Sequence, residues 1–184
     1  MFEKSLILVS LPILFMLHDF EEIVMMKSWA VRNESYLIQR FPRLGRRMVS
    51  HFKKFSTSSF ALAIAEEFFL LSLITVGAML SPDWQGPWFG AMLVFTLHLA
   101  YHVLTALVLI GRYVVASLTS FLFFPLCIYL ISLFFKKFQY RQSRLIFWEF
   151  LSFLILVANM IFLHFWLIPH FENWLRKYRF YHND

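Results

Sequence analysis

Long apolar stretches dominate this sequence, and they decide what it can fold into. They run over about 5–26, 56–80, 89–111, 114–135 and 145–168, each about twenty residues or more with few charges. A helix rises ~1.5 Å per residue, so about twenty residues cross the ~30 Å hydrocarbon core of a bilayer. The pattern predicts an all-α polytopic transmembrane bundle of about five spans, forming one domain over 1–184. Composition agrees, because 60% of the residues are hydrophobic and 24 are Phe, whereas soluble domains are about half apolar and spread that content periodically. The net charge of +6 would in a soluble protein suggest nucleic acid. Here the basic residues cluster at the ends of apolar segments, as membrane orientation requires, and nucleic acid is set aside. Cys127 is the single cysteine, which excludes disulfide frameworks and cysteine-based zinc sites.

The first stretch is expected to be retained rather than cleaved, since Lys4 is balanced by Glu3 and no small-x-small site follows. Between the first two spans, 27–55 carries eight Lys or Arg among apolar residues, the pattern of an interfacial element on an anionic leaflet. With the N-terminus outside and the C-terminus cytoplasmic, twelve Lys or Arg fall inside and five outside, the sense in which positive loops are retained. That arrangement places the chain in a cell membrane, with membrane lipids as its surroundings.

Against this apolar background stands "HDFEE". His18, Glu21 and Glu22 lie at i, i+3 and i+4 and share one helix face, whereas Asp19 points elsewhere. The second span carries Glu66 and Glu67, of which at most one aims straight at a given partner. The third carries His98 and His102 at i, i+4, with Thr105 continuing the stripe. His18 lies eight residues from the cytoplasmic end of its span, Glu66 ten and His102 nine, so all reach one depth. Asn159, nine residues from the end of the fifth span, joins them as a hydrogen-bond partner. His164 and Glu149 are read as packing and interfacial residues.

Each ionised carboxylate at mid-bilayer costs roughly 2.5–3.5 kcal/mol, so these acids require neutralisation. A metal ion, a histidine and proton network, or a water-lined path would each supply it, and a purely architectural polar network is the bland alternative. Imidazole with carboxylate suits Zn²⁺, Fe²⁺ or Mn²⁺, and helical bundles build metal centres from inward Glu and His, although His-x-x-Glu-Glu differs from the usual Glu-x-x-His spacing.

The residues at 18–22 resemble the defining motif of the HXXEE family, small multi-pass membrane proteins mostly from prokaryotes. The resemblance continues through His102 into "RYVVASLT", where Arg112, Tyr113 and Thr119 match the family's Arg-Tyr and Y-x-P-G-x-x-T pattern. Val115 and Ala116 stand in place of its Pro and Gly. It implies a prokaryotic cytoplasmic membrane but brings no activity, the family being of unknown function. Membrane desaturases and hydroxylases fit less well, for want of clustered His-x-x-His-His motifs. The chain is also similar to glutamate-dependent intramembrane proteases in Glu66-Glu67 and the later histidines, but Leu71 stands where those have Arg.

The reading that follows is a metal-dependent intramembrane hydrolase or transferase acting on a lipid-like substrate. His18, Glu22, Glu66, His98 and His102 are the expected metal ligands, and Glu21 and Glu67 the expected acid-base residues. Arg112 and Tyr113 are placed at a substrate headgroup. The alternative is a proton- or cation-coupled carrier using the same His/Glu set, for which a homodimer would supply the missing repeat.

Overall fold

A computed structural model describes residues 2–54, 56–109, 113–138 and 142–178. Among these residues the regular structure is entirely helical: α1 (Phe2–Arg32), α2 (Glu34–Arg40), α3 (Pro42–Lys54), α4 (Thr57–Leu80), α5 (Gln85–Val108), α6 (Ser117–Lys137), α7 (Gln142–Phe162) and α8 (Ile168–Lys177). Four segments, Thr57–Leu80, Pro82–Val108, Ser117–Lys137 and Ile146–Lys177, are long and apolar enough to cross a membrane. The last is continuous because a π turn over Leu163–Leu167 joins α7 to α8. At 31 residues α1 is long enough as well, but Asp19, Glu21 and Glu22 interrupt its apolar run. It also continues past residue 26, where the apolar stretch ends, because the polar residues that follow favour helix as readily.

Two stripes hold the bundle together. In α1 the buried residues Leu8, Leu11, Phe15, His18 and Glu22 recur at three- and four-residue intervals, and in α5 Trp88, Met92, Phe95, Leu99 and His102 do the same. Each stripe is apolar for most of its length and turns polar at one end, so packing them together delivers the polar ends to one place. α5 is central, meeting α6, α7 and α4, while α1 lies against α4 and α6. At Gly90 an added Cβ would stand 2.1 Å from Ser152 Oγ and 2.8 Å from the Trp148 carbonyl oxygen, so α5 and α7 touch nearly backbone to backbone.

Pro12 fixes a further link. A proline has no N–H, which leaves the carbonyl four residues back without its helical donor; that carbonyl, of Leu8, accepts the Trp88 indole N–H at 2.9 Å. The outward faces of the long helices carry exposed Leu, Ile and Phe, such as Leu122, Ile155 and Phe165, as a lipid-facing surface requires. The basic connection folds into α2 and the amphipathic α3, which pack on each other; α3 also packs on α1. Residues Trp29, Leu37, Val49 and 114–116 form a second small core there.

Candidate metal centre

His18 and Glu22 stand one turn apart on α1, as do His98 and His102 on α5, and the two pairs face each other. One ligand atom from each of the four lies within 4.8 Å of all the others. His98 Nε2 is 3.1 Å from His18 Nε2 and 3.2 Å from His102 Nε2. Glu22 Oε1 is 3.0 Å from His102 Nε2, 3.8 Å from His98 Nε2 and 4.0 Å from His18 Nε2. Ligands held 2.0–2.1 Å from a tetrahedral zinc ion are separated by about 3.3 Å, so the nitrogen separations match such a shell and the carboxylate needs only a small rotation.

Proton placement shows how these atoms could hold a cation. Thr119 Oγ1 donates to Glu21 Oε2 at 2.7 Å, so toward His18 Nδ1, 2.9 Å away, it must accept. His18 therefore carries its proton on Nδ1. The partner of His102 Nδ1 is the Val115 carbonyl at 3.2 Å, which also only accepts. Both rings, when neutral, thus aim a bare Nε2 lone pair at the centre. A single N–H on His98 satisfies one of them and leaves the other facing the Glu22 carboxylate. A divalent cation would satisfy all four at once, and the donor set, three imidazoles and one carboxylate, suits Zn²⁺, Fe²⁺ or Mn²⁺.

The residues behind the cluster explain the rest of the motif. Glu21 is 100° around the helix from Glu22 and reaches the start of α6. There it accepts the backbone N–H of Thr119 at 2.9 Å and of Leu118 at 3.4 Å, together with the Tyr113 hydroxyl at 2.5 Å. The residue before α6 is Ala116, whose side chain cannot cap it, and the Glu21 carboxylate takes over that role at the positive end of the helix. Burial and the adjacent carboxylate hold the Tyr113 phenol above its ordinary pKa, so it stays a donor. Trp29 Nε1 donates to the Tyr113 carbonyl at 2.6 Å and steadies the loop. Ala116 itself has φ 64°, the left-handed conformation that favours glycine. This is the position where the motif calls for Gly.

The structure distributes the residues singled out from sequence as follows. His18, Glu22, His98 and His102 converge. Glu66 is not among the converging atoms and accepts from Asn159 Nδ2 at 3.0 Å. Glu21 is fully engaged at the α6 terminus. Glu67 lines a chamber of about 680 Å³ between α1, α4, α5 and α7, as do Asn159, Glu22 and His98. Its Oε1 has no hydrogen-bond partner. Tyr113 is committed to Glu21, and Arg112 lies outside the described residues. Thr105 turns back to bond its own helix at the Tyr101 carbonyl. His164 and Glu149 lie on described helix, but their side chains are outside what is described.

Two residues escaped the sequence reading. Asp19 is 5% exposed and lines the chamber beside Glu22, with Oδ2 unpartnered. It shares a face with Phe15 and Glu22, a spacing of four and three that was there to be read. Thr119 was visible as a motif match without a role.

His98, with its side chain 42% exposed against 0% for His18, is the edge of the cluster that borders the chamber. No curated protein and no solved structure matches this chain. The family model described as protein of unknown function with HXXEE motif matches residues 9–130. The three named positions of that motif are the two α1 members of the cluster and the carboxylate that bonds Thr119 behind one of them, and the chain belongs to the HXXEE family.

Proposed function

We propose that this protein is a metal-dependent intramembrane enzyme, a hydrolase or transferase working on a lipid-like substrate within an otherwise apolar bundle. The observation that carries the reading is the juxtaposition of a His/Glu cluster able to hold a cation with a chamber of about 680 Å³ whose walls are nearly all hydrocarbon. A structural ion is usually enclosed by protein ligands, whereas a catalytic one keeps a position facing substrate. Here His98 and Glu22 border the open side.

His18, Glu22, His98 and His102 would hold the ion. When bound, a divalent ion polarises a substrate carbonyl or acidifies water. Glu67, with a free carboxylate oxygen on the chamber wall, is placed to take up and return the proton, and Asp19 is its counterpart on α1. Asn159 holds Glu66 aside. Glu21 acts through Thr119 on the His18 ring and is a positioning residue. In this reading α1 crosses the bilayer with the four longer apolar segments, since its acids are turned to the interior or to the α6 terminus.

Elemental analysis of detergent-purified protein tests the reading. Wild-type protein is expected to hold close to one Zn, Fe or Mn per chain, and His102→Ala and Glu22→Gln to lose it while their helical content is unchanged. Folded wild-type protein that takes up none of the three, even when they are supplied, would sink the enzyme. It would leave the alternative, a carrier in which the same set exchanges protons or cations.

A further inference from the structure

The chamber defines the chemistry of its occupant, given the metal-enzyme reading above. It follows α5 from Pro87, beside the Asp83–Trp84 turn, to His98, eleven residues or about 16 Å at the helical rise. The wall along this length is Phe15, Leu71, Ala91, Val94, Leu151 and residues like them. Its volume of about 680 Å³ lies within the roughly 300–1,000 Å³ of small-ligand sites.

Of the four acids that line the chamber, Asp83 stands at the Trp84 end and the other three at the opposite one. Asp19, Glu22 and Glu67 gather near the cluster, and neither Lys nor Arg lines the chamber among the described residues. Ionised, these three acids outweigh the two charges of a divalent ion held beside them, so a phosphate or free carboxylate brought there would meet a net negative end in a low-dielectric interior with no basic side chain to pair with. An ester, amide or alcohol carries no such charge.

We propose that the chamber binds one hydrocarbon chain of a lipid whose reacting end is uncharged. That end sits at His98 and Glu22, and the chain terminus lies toward Trp84. The site therefore measures chain length along α5 and rejects anionic lipids at the end nearest the metal.

Photo-crosslinking reads this directly. A monoacylglycerol with a diazirine at the end of a palmitoyl chain is irradiated with metal-loaded, detergent-purified protein, and the adducts are mapped by mass spectrometry. Label is expected between Asp83 and Ala91 and on the facing part of α7 near Leu151. Unlabelled monopalmitoylglycerol should displace it, with hexadecyl phosphate at least about tenfold weaker.

Ala91 lies seven residues from His98, about 10 Å along the helix. Ala91→Phe should lower labelling by the palmitoyl probe about tenfold and spare an octanoyl probe, because each buried methylene contributes separately to binding. Ile155→Phe repeats the test from α7 if the first variant does not fold. Label scattered over outward residues such as Leu122 and Phe150, both exposed, or equal displacement by hexadecyl phosphate, would overturn the proposal. Labelling that persists in a protein without metal would keep the chamber and remove only the enzyme. Metal without labelling would do the reverse.

Discussion

Replacing Thr119 with Val tests the proposed metal centre without touching a proposed ligand. The two side chains are nearly the same size, but Val has no oxygen to accept the His18 Nδ1 proton 2.9 Å away and none to donate to Glu21 at 2.7 Å. The His18 ring then loses the partner that fixes its tautomer, and its Nε2 lone pair is no longer held toward the centre. Deleting such an outer-shell partner typically weakens metal binding by 10–100-fold, equivalent to about 1.4–2.7 kcal/mol. The assay is competition between the protein and a chelator of known affinity, with Co²⁺ as a second probe because its visible bands report four-coordinate geometry. Thr119→Ser keeps the hydroxyl and is expected to stay within a few-fold of wild type, which separates orientation from packing. A Thr119→Val protein that binds as tightly as wild type, with unchanged Co²⁺ bands, would refute the relay from Glu21 through Thr119 to His18.

Three other outcomes are expected. Metal occupancy should fall steeply as pH is lowered, since protons compete for the same three Nε2 lone pairs and ligation requires neutral rings; equilibrium dialysis across a pH series measures the slope. Ala116→Gly should raise stability by about 0.5–1 kcal/mol, the left-handed strain of about 1–2 kcal/mol being partly offset by the larger entropy of an unfolded glycine; thermal denaturation in detergent reads it, and a loss of stability would count against the φ of 64°. Trp88→Phe should cost about 1–3 kcal/mol by stranding the Leu8 carbonyl, and Pro12→Ala, which restores a backbone N–H to that carbonyl, should be less harmful in the Trp88→Phe background than alone.

Much of this was legible in the sequence, for identifiable reasons. The apolar stretches located α4 almost to the residue, because Ser56 caps it and the stretch begins there. The i, i+4 spacing singled out His18 with Glu22 and His98 with His102, because a helix fixes which of its own residues share a face. What spacing cannot fix is the rotation of one helix against another. That rotation decides between Glu66 and Glu67, turns Glu21 to α6 rather than the cluster, and brings Asp19 to the chamber. The Val115 carbonyl was beyond reach for a different reason, since a backbone acceptor leaves no trace in residue identity. The Ala at 116 was recognisable only as a departure from a pattern, and its consequence needed the backbone angle.

Glu21 serves two masters. One carboxylate both closes the start of α6 and, through a single hydroxyl, aims an imidazole, so whatever fills the centre must also tighten the turn from Tyr113 to Thr119. Stripping the ion should accordingly quicken hydrogen exchange and proteolytic cutting at a loop that no ligand atom belongs to.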